Sequence, residues 1–142
     1  MIGKYSAKLD EKNRLFVPAK LRGELGDAFF VTLGVNCGRR CLTVYTAQDW
    51  QTLIQNYNAL KISQRADATS LIFMNAVECI PDKQFRFGLT SFLLNYAGIG
   101  RDVMIVGRAG QAEIWDAEEF AAFEAENLTP EKLLASLEAI GL

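Results

Sequence analysis

The feature that most constrains this chain is a motif written twice. Leu9–Gly26 reads LDEKNRLFVPAKLRGELG, and 72 residues later Asp82–Gly98 reads DKQFRFGLTSFLLNYAG. Asp10 falls on Asp82, Arg14 on Arg86, Val17 on Leu89, Leu21 on Leu93 and Gly26 on Gly98. The match continues with Val31 on Val103. After a shortened loop, Val44-Tyr45 falls on Ile114-Trp115 and Trp50 on Phe120. One half-domain has been duplicated and fused. Each copy reads as strand, tight polar turn, return strand and short helix. Asp10-Glu11-Lys12-Asn13 supply the turn chemistry, and Leu15-Phe16-Val17 make the return strand. Pro18 is expected at the first helical position, where its missing N–H is unpaired anyway, and Gly26 is the C′ stop.

The remaining elements follow from periodicity. Ile2–Leu9 alternates, with Tyr5, Ala7 and Leu9 on one face and Lys4, Ser6 and Lys8 on the other, as a half-buried strand should. Ala28–Leu33 and Cys41–Tyr45 read as strands around a polar loop, Gly34–Arg40. Thr46 with Asp49 opens an amphipathic helix whose Trp50, Leu53, Ile54, Tyr57 and Leu60 share a core face. Ser63–Met74 reads as a second helix bridging the halves, and Ala76–Ile80 as the strand entering the second turn. Val103–Val106 and Ala112–Trp115 mirror the earlier strands across a turn at Gly107–Gly110. Asp116 with Glu119 opens a helix to about Glu126. Thr129-Pro130 starts a last helix, ended by Gly141, whose Leu133, Leu134, Leu137 and Ile140 need a partner on this domain or on a neighbouring subunit.

Composition removes whole classes of function. The chain has 142 residues, half of them apolar, and no histidine. Ser-His-Asp and Cys-His nucleophile pairs are therefore excluded, and there is no Gly-rich phosphate loop. No pair of carboxylates or lysines stands out for catalysis, so neither an enzyme nor a small-molecule substrate is expected. Three cysteines, Cys37, Cys41 and Cys79, suit a reduced, cytoplasmic protein. They would give a metal only three ligands, so no metal or other cofactor is expected. No apolar run approaches the roughly 20 residues of a membrane span, and the N-terminus lacks the apolar middle of a signal peptide.

Net charge is −2, but it is unevenly placed. Residues 1–22 carry six basic residues against two acids, a local +4, while residues 111–142 carry eight acids against Lys132, a local −7. Such a chain would turn one end toward a polyanion and the other away. Charge alone also fits a merely solvated basic face.

DEKNRLFVPAKLR resembles the MraZ family of bacterial transcriptional regulators, which carry two AbrB-like swapped-hairpin half-domains in one chain. The supporting residues are the pair Asp10 and Arg14, then Pro18-Ala19-Lys20-x-Arg22, then the second pair Asp82 and Arg86, with Asn95-Tyr96-Ala97-Gly98 closing its helix. The resemblance covers nearly the whole chain. It implies an α+β fold: a pseudo-two-fold, duplicated swapped-hairpin β-barrel with flanking helices. Residues 1–62 form the first half and 63–142 the second, together one intertwined domain. It also implies double-stranded DNA as partner, ring-shaped homo-oligomers, nucleoid association, and direct repeats upstream of a division and cell-wall gene cluster.

On that reading Lys12 and Arg14 contact DNA, Lys8, Lys20 and Arg22 clamp phosphates, and Lys83 and Arg86 are secondary contacts. Asp10, Asn13 and Asp82 organise the turns. A braced guanidinium would aim its planar fork outward, at phosphate or guanine; the same Asp–Arg pair could instead be a plain turn-stabilising salt bridge. Two departures from the family pattern bear on this. Where the family has glycine, the first turn has Asn13, the least costly non-glycine residue at positive φ, and the second has Phe85, for which positive φ is costly. Thr90-Ser91, Phe92 and Leu94 also replace Pro18-Ala19, Lys20 and Arg22. The first half is therefore expected to dominate DNA contact. Two alternatives stand beside this reading: a structural or interaction ring that has lost most DNA affinity, and an antitoxin-like module, which usually ends in a disordered tail where this chain reads as helical.

Overall fold

The computed structural model describes all of residues 1–142. The alternation after Gly3 becomes strand β1 (Lys4–Lys8), which half-buries Tyr5 and Ala7 and exposes Lys4, Ser6 and Lys8. The repeated motif supplies β2 (Arg14–Phe16) and β6 (Arg86–Gly88). A 3-10 turn, Ala19–Leu21, and helix α1 (Arg22–Leu25) come after the first, and α4 (Ser91–Tyr96) after the second. Each copy then makes a long hairpin, β3 (Phe29–Asn36) with β4 (Arg39–Thr46), and β7 (Asp102–Arg108) with β8 (Gln111–Asp116). Helix α2 (Ala47–Asn58) leaves β4, and α5 (Ala117–Asn127) leaves β8. A helical bridge containing α3 (Arg65–Ala68) leads to β5 (Val77–Cys79), and α6 (Pro130–Ile140) ends the chain.

Strand pairing crosses between the copies. β1 runs antiparallel to β7, with Tyr5 opposite Ile105, and β5 antiparallel to β3, with Val77 opposite Val31. β2 and β6 pair only with each other, placing Leu15 opposite Phe87. β4 meets β8 with Leu42 opposite Ile114. Both of these pairs are separated by the repeat interval of 72 residues, so equivalent positions of the two copies stand face to face. The result is a mixed α+β chain with a mostly antiparallel sheet ordered β1-β7-β8-β4-β3-β5 and a two-stranded β2–β6 ribbon. The expected barrel is not closed. β1 and β5 do not pair and are the free edges of an open sheet.

One apolar cluster takes residues from both copies, among them Leu15, Leu21 and Val31 with Phe87, Leu93 and Val103. Phe29 meets Phe87 edge-on, ring centroids 5.1 Å apart and 79° between planes. Trp50 of α2 stacks on Phe30 at 4.8 Å, which fixes that helix to the sheet as its periodicity demanded. Helix starts also obey their sequence signals. Thr46 accepts the Asp49 N–H at 3.1 Å, Asp116 that of Glu119 at 3.3 Å, and Thr129 that of Lys132 at 3.2 Å.

Other expectations need correction. Pro18 is the cap of the 3-10 turn (φ −55°, ψ 133°) and not its first residue. The presumed loop at Gly34–Arg40 is a two-residue turn, Cys37-Gly38, at φ 49° and 77°, because two left-handed residues match the twist of the flanking strands. Both hairpins turn on two residues, so the second copy is shortened where β8, six residues against eight in β4, enters its helix. Register therefore places Ile114 on Leu42, not on Val44. The helix expected at Ser63–Met74 is present as one uninterrupted run over 62–73, but it changes type: a 3-10 turn, Ile62–Gln64, leads directly into α3, and α3 into a π turn, Thr69–Phe73. No residue of α6 is buried, and Leu133, Leu134 and Ile140 are exposed, so that stripe is not covered by its own chain. No helix is long and apolar enough to cross a membrane.

Because the ribbon belongs to both copies, they should unfold together. Phe87→Ala is expected to cost about 3–5 kcal/mol while urea unfolding, monitored by tryptophan fluorescence and circular dichroism, stays a single transition with coincident midpoints.

Candidate nucleic-acid interface

Each repeated turn is built around a carboxylate. Asp10 Oδ1 accepts the backbone N–H groups of Lys12 (2.9 Å) and Arg14 (2.8 Å), and Oδ2 accepts Arg14 Nε at 2.8 Å. Asp82 repeats this with Gln84 N–H (2.8 Å), Arg86 N–H (3.0 Å) and Arg86 Nε (2.9 Å). A short acceptor side chain folded onto its own turn closes it without help from a neighbouring strand. In both turns the carboxylate takes only Nε of the arginine, and the two terminal guanidinium nitrogens make no hydrogen bond within the chain. The bridge orients the fork and leaves its outer edge for another acceptor. Arg14 and Arg86 are 29 % and 27 % exposed.

These arginines share one surface. In the β2–β6 ribbon Arg14 lies opposite Gly88 and Arg86 opposite Phe16. Leu15 and Phe87 turn inward and are buried, so by strand alternation Arg14, Phe16 and Arg86 line the outer face. The predicted residues fall at different distances from this face. Lys12 and Lys83 sit exposed in the two turns and Lys20 in the 3-10 turn, and none of the three forms an ion pair within the chain. Lys8 is exposed but holds Asp102 at 2.9 Å across the β1–β7 pairing. Arg22 is half-buried: Nε donates to the Val17 carbonyl at 3.1 Å and the guanidinium lies 3.9 Å from the centre of the Phe85 ring.

The position where glycine was expected is left-handed in both turns. Asn13 sits at φ 59° and Phe85 at φ 62°. The Asn13 carbonyl accepts the Leu89 N–H at 3.0 Å, and the Phe85 carbonyl accepts the Val17 N–H at 2.8 Å. Each turn thus bonds to the other copy, and the left-handed backbone provides that aim. For a bulky residue such a conformation costs about 1–3 kcal/mol.

Two clusters were not anticipated from the sequence. Arg39 joins β4 to α5, with Nη1 on Glu119 at 2.6 Å and both Nε and Nη2 on Glu126. Glu113, buried in β8, accepts Arg108 Nη1 (3.1 Å), Trp115 Nε1 (3.1 Å) and the Asn36 amide. Burial and the Glu113 charge push the Cys41 thiol up to about 12. Lone charges in otherwise apolar strands, such as Glu113 in QAEIW, were the one signal available for it.

A chain that presents one Asp-x-x-x-Arg turn twice, from an interlocked α+β body, belongs to the class of two-copy proteins with a paired basic ribbon. The family model described as "MraZ protein, putative antitoxin-like" matches residues 1–71 and, a second time, residues 72–135. The chain belongs to the MraZ family. It is 33 % identical over 144 residues to a protein of Halothermothrix orenii, covering 99 % of each chain. Similarity to proteins of Thermobifida fusca (37 % over 127 residues, 88 % of this chain and 87 % of the relative) and Limosilactobacillus fermentum (38 % over 126 residues, 87 % and 85 %) runs through most of both chains. All three relatives carry the name transcriptional regulator MraZ.

The carboxylates give the turns a pH dependence. At Asp10 lost hydration opposes ionisation, but the backbone and side-chain hydrogen bonds from Arg14, the Lys12 N–H and the guanidinium charge outweigh it and lower the pKa below the ordinary 3.8. At Asp82 the Arg86 N–H leads the lowering, with Gln84 N–H and the Arg86 side chain adding to it. Because the folded values are depressed, the stability these groups add is complete above the ordinary value and is lost as pH falls through the folded value. Carboxyl-carbon NMR titration should give both midpoints below 3.8, with the Lys12 and Gln84 amides moving in step.

Proposed function

We propose that this chain is a cytoplasmic, nucleoid-associated transcriptional regulator that binds double-stranded DNA by sequence, without cofactor or catalysis. The observation that carries the reading is the pair of arginines held by Nε alone, with their terminal nitrogens open on one outer face. A two-stranded ribbon fits the major groove, and an end-on guanidinium matches the O6 and N7 acceptors of guanine or two phosphate oxygens. Lys12 and Arg14 make the principal contacts. Lys8, Lys20 and Arg22 clamp phosphates, and Lys83 and Arg86 are secondary. Asp10, Asn13 and Asp82 set the turns. The architecture is that of two swapped-hairpin units, residues 1–62 and 63–142, in one intertwined domain, a reading supported by the exchanged pairing of β1 and β5.

One protomer neutralises only about two to four phosphates, so its salt slope is shallow and its affinity modest. Ring-shaped homo-oligomers contacting successive direct repeats, upstream of a division and cell-wall gene cluster, would multiply that affinity through effective concentration. The uncovered Leu133, Leu134 and Ile140 of α6 supply apolar surface for such assembly. A second reading is a structural ring with little DNA affinity, favoured by the second motif's loss of basic residues at Phe92 and Leu94.

Fluorescence anisotropy with DNA from upstream of the protein's own gene separates the two. Arg14→Ala is expected to abolish specific binding while the oligomer survives in light scattering, and Arg86→Ala to weaken it only. Raising salt should reduce wild-type binding with a log–log slope of about −2 to −4 per protomer. Equal loss from both substitutions would refute the asymmetry, and no specific complex at low salt would favour the structural ring.

A further inference from the structure

Phe85 occupies a position where glycine would give the same backbone without strain. Its φ of 62° is held although the ring gains little burial, since the residue remains 44 % exposed. The ring meets Arg22 of the other copy, whose guanidinium lies 3.9 Å from the ring centre. Arg22 Nε donates to the Val17 carbonyl at 3.1 Å, and the Val17 N–H donates to the Phe85 carbonyl at 2.8 Å. Val17, Arg22 and Phe85 therefore form a closed three-residue link between the first copy's helix and the tip of the second copy's turn. The opposite side has no counterpart. Repeat spacing puts Asn13 in the place of Phe85 and Leu94 in the place of Arg22, leaving only the Asn13–Leu89 backbone bond.

We infer that Phe85 is a positioning residue: with Arg22 it fastens the tip of the second turn to the first half, and so fixes the heading of that turn, with Arg86 at its end, relative to Arg14 across the β2–β6 ribbon. A backbone bond alone allows the turn to pivot about it. A face-on guanidinium adds a second point of attachment and removes the pivot. The ring thereby converts two basic turns into one rigid reader that favours DNA in which both contacts fall at a single spacing. Lost basic groups in the second motif are offset by fixed geometry. This deepens the DNA-binding reading and rests on it.

The test compares Phe85→Gly, which suits the backbone and deletes the ring, with Phe85→Tyr, which keeps the ring. Affinity is measured for a labelled duplex from upstream of the protein's own gene and for the same duplex scrambled. Phe85→Gly should lower the ratio of specific to scrambled affinity about tenfold, the size of a mismatched contact, with scrambled binding unchanged. Phe85→Tyr should stay within about twofold of wild type. In urea, a cycle of Arg22→Ala and Phe85→Gly should show coupling of about two- to fivefold in the unfolding constant. An intact ratio in Phe85→Gly, against a wild-type ratio well above one, overturns the positioning role alone; so does an additive cycle. A wild-type ratio of one overturns the DNA reading and the positioning role with it.

Discussion

The pairing of β2 with β6 is the contact on which the rest of this molecule depends. It is only three residue pairs long, yet Leu15 and Phe87 at its centre are buried in a cluster fed by both copies. Its inner face closes the core and its outer face carries Arg14 and Arg86. Backbone bonds from Val17 to Phe85 and from Leu89 to Asn13 continue the pairing into the turns. A short ribbon is marginal by itself in water. Here the exchange of β1 and β5 onto the opposite copies' hairpins holds its ends, so packing supplies what strand length does not.

Duplication does not produce equality. Both turns keep the same carboxylate brace, with nearly the same distances, because that brace is local and needs only Asp and Arg four residues apart. The segments C-terminal to the two turns have diverged: Pro18, Lys20 and Arg22 after the first, Thr90, Phe92 and Leu94 after the second. The first copy carries positive charge in this segment, while the second carries apolar side chains there and a strained aromatic tip on its turn. The part common to both copies is thus the part that positions an arginine, and the divergent part decides what surrounds it.

Much of this was legible in the sequence because it is encoded locally. The repeat, the capping threonines and aspartate and the aspartates of the turns each arise from side chains acting within a few residues; the apolar face of α2 was legible only in part, since Trp50 is buried, Leu53, Ile54 and Tyr57 are half-buried, and Leu60 lies exposed beyond the helix. The family resemblance was carried by the same residues, and the match over both halves bears it out. Pairing partners were not legible, since alternation fixes which face of β1 is buried but not which strand lies beside it. The closed barrel was implied by the family resemblance alone, and the open sheet corrects it. The changes of helix type in the bridge between α2 and β5 left no mark in the sequence pattern, and β3 extends through Asn36 because Cys37-Gly38 makes the turn in two left-handed residues. The Arg22–Phe85 contact joins residues 63 apart in sequence, and its one trace was an aromatic residue where a glycine belonged.

The covalent join between the two copies has a thermodynamic consequence. Two separate subunits would assemble such a ribbon only above their dissociation constant, and at a few molecules per cell many would stand alone and unfinished. With both strands on one polypeptide the encounter is intramolecular, and dilution does not undo it. The paired β2–β6 ribbon therefore stays whole however few molecules are present.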